Sequence, residues 1–363
     1  MRTLFKYLKK QTIERVHIMK LSTSKNRVNE TPGTLKYSGN YKGKMKIEVL
    51  QYDNKDIKKF SIKTIDEILH TPKIQWINII GLNNEELLHA LSNKYNIHRI
   101  DMEDIVNVTQ RSKIEHKQKY LFSIYKMIYL QEEKIIHEHI SIFMFENILI
   151  TFQETPGDVF ETIRERLEKK MGQIRKMKVD YLYYSLIDCM VDQYSEILMY
   201  IEEKFSETET RIIEVESDSM DDVYELRKEL LYLKNGIYPI RDALQSFINT
   251  RSEFLSEDVT PYFADVVENI AHAIDKINVY REMVNSLYEV QISNASTKMN
   301  KVMMTLTIFS VIFIPLSFLA GVFGMNFASL PGISAKGSFI YFIIGCIIIA
   351  ISMLLFFKRK KWF

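Results

Sequence analysis

The stretch 260-TPYFADVVENIAHAIDKINVYREMVNSLYEVQISNASTKMNKVMMTLTIFSVIFIPLSFLAGVFGMN-326 decides how the rest of the chain is read. Thr260 before Pro261 is a helix-start pair, because the first helical turn does not need the N–H that proline lacks. Phe263, Val266, Ile270, Ala273, Ile277, Tyr280, Val284 and Leu287 then recur at alternating spacings of three and four. That is the stripe of a helix packed on helices, either of its own chain or of copies of itself around an axis. A neck with Lys298, Asn300 and Lys301 leads into Val302–Phe323, which is apolar except for Thr305, Thr307, Ser310 and Ser317. As one helix the stretch is about 100 Å long at roughly 1.5 Å per residue. A globular domain does not need such a length, so the helix links a soluble body to a bilayer.

A second apolar run follows at Ser338–Phe357, after the short segment Gly324–Gly337. About 20 apolar residues cross a bilayer core. The second run ends on Lys358-Arg359-Lys360-Lys361. By the positive-inside rule this end is cytoplasmic, and two spans then put the N-terminal body in the cytoplasm too. The expected partition is a basic tail at 1–45, a cytoplasmic α/β domain at 46–177 and a cytoplasmic helical stalk at 178–301. A first span at 302–325, an extracellular loop at 326–337, a second span at 338–357 and a basic tail at 358–363 complete it.

Net charge is +2 over 363 residues, which argues against a nucleic-acid partner, but the charge is unevenly spread. Residues 1–46 hold twelve Lys or Arg against two acids, and 202–229 hold eleven acids against four Lys or Arg. The tail reads as a solvated segment and the acidic stretch as a solvated face. Near a pore mouth such a face would also concentrate cations. Two cysteines, Cys189 and Cys346, form no disulfide framework.

Between tail and stalk the pattern is mixed. Lys46–Gln51, Phe60–Ile65, Ile74–Ile80, Tyr120–Leu130, Ile135–Met144 and Ile148–Phe152 read as strands, with Glu146-Asn147 in a tight turn. Asn84–Tyr95 reads as a helix capped at Asn83-Asn84. From Gly157 the pattern is helical, over Asp158–Met171, Lys178–Ile213 and Met220–Ile248, with Asn235-Gly236 as a possible interruption of the last.

The chain carries no Walker loop, dinucleotide fingerprint, nucleophile elbow or HExxH, so an enzyme is not expected. His137 and His139 alternate along a strand and could share a metal, but a solvated strand face is the expected reading. Glu103, Asp104 and Asp265 offer the oxygen ligands that hard divalent cations prefer, against a default of simple solvation. Within the first span Met303, Leu306, Ser310, Ile314, Ser317, Gly321 and Gly324 continue the 3-4 spacing. A stripe with so many small and hydroxyl residues is either a close packing face or a wetted pore wall. Pro315 is expected to kink or loosen the span. Gly324-Met325-Asn326 ends it with a glycine and an amide. Repeated around an axis, such neutral oxygens form a ring able to hold the water shell of magnesium, an ion that dehydrates reluctantly.

Gly324-Met325-Asn326 after one span, a short loop, a second span and a basic end Lys-Lys-Trp-Phe together resemble the CorA magnesium channel family. The segment from Asp101 to Glu115 and Tyr262-Phe263-Ala264-Asp265-Val266 are similar to family segments as well, and the resemblance runs from about residue 45 to the end. It implies an α+β membrane protein. A cytoplasmic mixed α/β domain, a long helical stalk and two C-terminal transmembrane helices per subunit would assemble into a funnel-shaped homopentamer in the cell membrane, with both termini cytoplasmic. It implies a channel for Mg2+, with Co2+ or Ni2+ as further permeants and no organic cofactor. Gly324, Met325 and Asn326 match the selectivity filter. Asn300, Met303, Leu306, Ile314 and Ser317 match pore-lining positions, with Met303 and Leu306 as a hydrophobic gate. Glu103, Asp104 and Asp265 match acids that bind regulatory divalent cations between subunits.

Two departures stand out. Phe323 replaces the family's usual tyrosine, and the loop Phe327-Ala-Ser-Leu-Pro-Gly-Ile-Ser-Ala-Lys-Gly337 lacks the common Met-Pro-Glu-Leu and any acid. The zinc-transporting ZntB branch departs at the same place. A zinc transporter of that type is therefore the same-fold alternative, and a non-conducting membrane-tethered sensor or scaffold the alternative of another class.

Overall fold

The computed structural model describes residues 31–213, 220–250, 252–325, 337–360 and 362. It opens with β1 (Lys46–Tyr52), β2 (Ile57–Ile62), β3 (Ile74–Ile80), α1 (Glu85–Tyr95) and α2 (Arg99–Val106). β4 (Lys113–His116), β5 (Leu121–Gln131), β6 (Lys134–Met144) and β7 (Ile148–Gln153) follow. Then come α3 (Glu161–Glu168), α4 (Val179–Ile213), α5 (Met220–Asn249), α6 (Thr260–Phe323) and α7 (Ser338–Arg359). The chain divides into two compact units, one of residues up to Thr208 with Asp221–Val284, the other of Glu209–Met220 with Asn285–Phe363.

The first unit is built on a seven-stranded sheet in the order β2-β1-β3-β7-β6-β5-β4. All neighbours are antiparallel except β3 and β7. The parallel pair needs a long crossover, and α1, α2 and the β4–β6 strands lie between its members in sequence. β3 and β7 are buried on both faces, so they do not alternate apolar with exposed polar residues, and the polar Asn78 and Thr151 within them are buried and hydrogen-bonded to each other at 2.7 Å. One face packs Val49, Ile77, Phe122, Phe143 and Ile150 against Leu88 and Leu91 of α1 and Met102 and Ile105 of α2. On the sheet's Trp76, Phe160 meets the indole edge-on at 6.0 Å and the Arg164 guanidinium of α3 lies 5.2 Å over the ring. Tyr125 of β5 and Tyr183 of α4 join hydroxyls at 2.6 Å.

α1 starts where the asparagine pair predicts, with Asn84 Oδ1 accepting from Leu87 N at 3.1 Å. β2 lies three residues earlier than expected, because the Glu67 carboxylate accepts from Lys63 N and Thr64 N and winds 63–67 into a tight turn. α3 is shorter than expected, since Asp158 accepts from Phe160 N and from Arg164 instead of entering the helix. Residues 31–45, read as part of a solvated tail, are docked: Leu35 is buried, Tyr37 donates to Glu154 Oε1, and Ser38 N donates to Val106 O. Residues 1–30 lie outside the described part. α5 runs unbroken through Asn235-Gly236 and Pro239. Gly236 earns its place by packing, because a Cβ there would come within 2.8 Å of Ile128 Cδ1.

The histidine strand face is not solvated. His137 meets the Tyr232 ring of α5, and His139 is fully shielded beside Lys126. Burial, with help from the Lys126 charge, pushes His137 down to about 4 and His139 well below its usual value. The expectation failed because strand alternation says which residues share a face, not which helix covers it.

α6 is one helix of 64 residues, and Pro315 does not end it. Phe263, Val266, Ile270, Ala273, Ile277 and Val284 of its first part are buried. They are covered by helices of the same chain: Phe263 lies against Tyr183 and Tyr184 of α4 and Phe247 of α5, and Tyr280 against Phe205. The stripe is therefore core, not a surface left for self-association. In the second unit Asn294 Nδ2 donates to Ile212 O, and α7 is the other membrane-length apolar helix.

Candidate functional site

Val302–Phe323 keeps a second stripe, and here the two sides of the helix differ. Met304, Ile308, Ile312, Leu316, Leu319 and Val322 are partly shielded, and Phe323 meets Phe342 of α7 at 5.3 Å. Asn300, Met303, Leu306, Ser310, Ile314, Ser317 and Gly321 are exposed. At about 100° per residue the two sets lie on opposite sides of the helix. Within one chain, then, every expected pore-lining position is on the side that the chain itself does not cover. Met303, Leu306 and Ile314 are 57%, 67% and 67% exposed, large for apolar residues in a helix.

Three of the four hydroxyls in this span, those of Thr305, Thr307 and Ser310, donate to carbonyls one turn back. Thr307 Oγ1 donates to Met303 O at 2.7 Å and Ser310 Oγ to Leu306 O at 2.9 Å, each one turn back. A hydroxyl that donates inward turns lone pairs outward. Such an oxygen accepts hydrogen bonds, and water bound to a cation presents hydrogens. At the end of the span Gly324 N donates to Ala320 O at 2.9 Å and Met325 N to Val322 O at 3.3 Å. A Cβ on Gly324 would meet Ala320 O at 3.0 Å, so glycine lets the backbone close over the helix end. Asn326 and the loop up to residue 336 lie outside the described residues.

The acids fall in two places in the first unit. Glu103 and Asp104 sit on α2, a helix too short to show a sequence period. Glu103 Oε2 accepts from Gly33 N at 2.6 Å. Asp104 pairs with Lys113 Nζ at 2.7 Å and accepts from Gln110 Nε2 at 2.9 Å. Burial draws Lys113 down, but hydrogen bonds to Asp104 and Glu115 outweigh it and leave the ammonium strengthened. Asp265 is exposed in the first turns of α6, where Asn269 Nδ2 reaches it at 3.4 Å. Among the described residues no three His, Cys, Asp or Glu side chains of one chain converge on a common point. Glu103 and Asp104 stand together; Asp265 does not join them within the chain.

Sequence reading missed two acids. Asp188 and Asp192 of α4 lie one turn apart on a helix otherwise rich in apolar residues. Asp188 is half-buried, which raises its carboxyl, and the charges of the exposed Asp192 and of Asp265 add to the rise. The available signal was acids at i, i+4 inside the apolar run 181–194.

A mixed α/β body, a helix that continues into a membrane-length apolar segment, and a second such helix close behind it in sequence define a multi-span membrane protein whose first span carries a bare stripe of apolar, hydroxyl and small residues. The chain belongs to the CorA-like Mg2+ transporter protein family, whose model matches residues 72–359, and its class is that of a divalent-metal membrane transporter. The cobalt/magnesium transport protein CorA of Thermotoga maritima is 35% identical over 341 residues, which is 91% of this chain and 96% of that protein. The complete structure of the CorA magnesium transporter from Methanocaldococcus jannaschii superposes with a TM-score of 0.76 at 22% identity, covering 87% of this chain and 98% of that one. The zinc transport protein ZntB of Yersinia pseudotuberculosis is 23% identical over 177 residues, 49% of this chain and 54% of that protein.

Proposed function

We propose that the protein is a channel for divalent cations, Mg2+ first and Co2+ or Ni2+ after it, formed by five copies around an axis in the cell membrane. The carrying observation is that the stripe of Asn300, Met303, Leu306, Ile314 and Ser317 lies opposite the shielded side of the span. A symmetric assembly that turns this side inward forms a path whose wall alternates apolar side chains with outward-facing oxygen lone pairs. The relative at 35% identity carries cobalt and magnesium by name, which supports the same cargo here.

In this reading Gly324, Met325 and Asn326 form the outer ring. Their neutral oxygens accept hydrogen bonds from the water shell of the ion, so magnesium enters without early dehydration. Met303 and Leu306 present exposed apolar side chains and close the path by dewetting when the helices approach. Both termini are cytoplasmic, in keeping with the basic end at Lys358, Arg359 and Lys360. Glu103 and Asp104 of one subunit and Asp265 of the next hold a regulatory cation, with Asp188 adding negative charge beside Asp265. A cation arriving there displaces Lys113 from Asp104, so binding exchanges an internal ion pair for a bridge between subunits. Loss of the cation leaves carboxylates in mutual repulsion and favours the open ring, a population shift driven by differential binding.

A ZntB-type zinc transporter is the second reading, favoured by one feature: residues 327–337 contain no acid to attract a cation at the mouth. Uptake into proteoliposomes, with magnesium or zinc and with or without a pH gradient, separates the two. Magnesium uptake driven by its own gradient and lost in Asn326→Ala is the expected result. Zinc uptake that follows the proton gradient, with little magnesium uptake, would replace the channel by the transporter.

A further inference from the structure

Residues 290–363 contain seven Lys or Arg and not one Asp or Glu. Lys298 and Lys301 stand just before the first span and Lys358, Arg359 and Lys360 just after the second. A chain that crosses and returns brings all five to the same membrane face. The segment itself has no acidic side chain to neutralise them.

The end of α7 is built in a particular way. Lys360 N donates to Phe356 O at 3.1 Å and Trp362 N to Phe357 O at 3.2 Å, which satisfies carbonyls that a helix end otherwise leaves bare. The turn lays the Trp362 ring on Phe357, with centroids 5.2 Å apart and planes at 27°. Phe357 is the buried residue of α7, while Trp362 stays 39% exposed. Indole rings favour the headgroup level of a bilayer, and cations there are drawn to an anionic leaflet. Complementing the helix dipole would account for cations in the last turn of α7. It does not account for Lys298 and Lys301, which lie inside α6 far from either end.

We infer that Trp362, Lys358, Arg359 and Lys360, together with Lys298 and Lys301, form a binding surface for the headgroup phosphates of anionic phospholipids. Phe357 holds the indole at the headgroup level and the flanking cations select the anionic lipid. The inference rests on the two-span reading but not on which ion is carried.

The sequence has two tryptophans, Trp76 and Trp362, so Trp76→Phe leaves Trp362 as the single reporter in the full-length chain. Reconstituted protein is titrated with brominated phosphatidylglycerol or brominated phosphatidylcholine, and quenching gives the relative binding constant. Wild-type chain minus Trp362→Phe gives the same readout if the Trp76 variant does not fold. The expected preference for phosphatidylglycerol is about fivefold or more, the worth of one or more cations at an anionic surface. It should fall towards one in Lys358→Gln/Arg359→Gln/Lys360→Gln and in high salt. Equal quenching by both lipids, or a preference untouched in the triple variant, overturns the proposal. So does a preference that emerges only once the acids of residues 202–229 are neutralised, since the cations would then belong to a second copy of that stretch. Magnesium uptake by the same vesicles separates the two readings. Lost lipid preference with intact uptake contradicts this inference alone, and the converse contradicts the transport reading alone.

Discussion

The two halves of α6 carry the same alternating spacing and put it to opposite uses. From Phe263 to Val284 the stripe is sealed beneath α4 and α5 of its own chain. From Met303 to Gly321 the corresponding stripe is bare, while the other side of the helix is partly shielded. Periodicity alone does not distinguish the two. Residue type does: the first half fills the spacing with Phe, Val and Ile, the second interrupts it with Ser and Gly. A side chain that must fill a core is large, whereas Ser310, Ser317 and Gly321 leave room beside the helix.

The sharpest way to break this comparison is to truncate one residue in each half. Phe263→Ala should cost about 3–5 kcal/mol, the usual loss for a fully buried ring. Ile314→Ala should leave unfolding in detergent nearly unchanged and alter magnesium uptake instead. Denaturant titration of both variants checks this, and similar losses in the two would mean that the span stripe is packed as the other is.

A second contrast concerns protons. The second half of α6 holds no acid, so the carboxylates that make stability depend on pH lie elsewhere, among them those of the first unit. There Glu138 is buried, and burial above all raises its carboxyl to about 7. Its folded form keeps a proton that the unfolded form releases near 4.5. The stability it supports is therefore complete below about 4.5 and declines as pH rises through 7. The loss is roughly 3 kcal/mol, from 1.36 kcal/mol per pK unit. Thermal unfolding between pH 5 and 8 should show that decline in the wild type and a flatter curve in Glu138→Gln. An unchanged slope in the variant assigns the response to another group.

A smaller effect is expected at the acids. Replacing Asp104 and Asp265 by Lys should raise the magnesium concentration needed for protection from protease by about tenfold, or roughly 1.4 kcal/mol. Equal protection in wild type and variant removes both residues as regulatory ligands.

Much of this molecule was legible in its sequence, and the failures share a cause. Strand β3 and the start of α6 were read to the residue, because a buried run and a Thr-Pro pair are local signals. The family followed from Gly324-Met325-Asn326 in its two-span setting. β4 and α2 were missed as elements, since four and eight residues are too few for a period to show. His137 and His139 were misplaced in water because their cover is tertiary: Tyr232 of α5, about 95 residues later, meets His137, and Lys126 of the neighbouring strand lies beside the buried His139. Asp188 was overlooked because acids on a long helix usually face solvent, whereas it is half-buried beside the exposed Asp192 and its carboxyl is raised. Covering and convergence are tertiary facts that no local pattern contains.

The account turns on which side of the first span faces the ion. In a chain with Cys346→Ala and the buried Cys189 retained, single cysteines are placed at Met303, Ile314 and Ser317 on the bare side and at Ile308 and Ile312 on the shielded side. Magnesium uptake is then measured before and after a water-soluble, positively charged thiosulfonate reagent. Uptake should fall steeply for the first three and stay unchanged for the last two. Block at Ile308 and Ile312 with none at Ile314 and Ser317 would put the path on the other side of the helix and contradict the pore assignment.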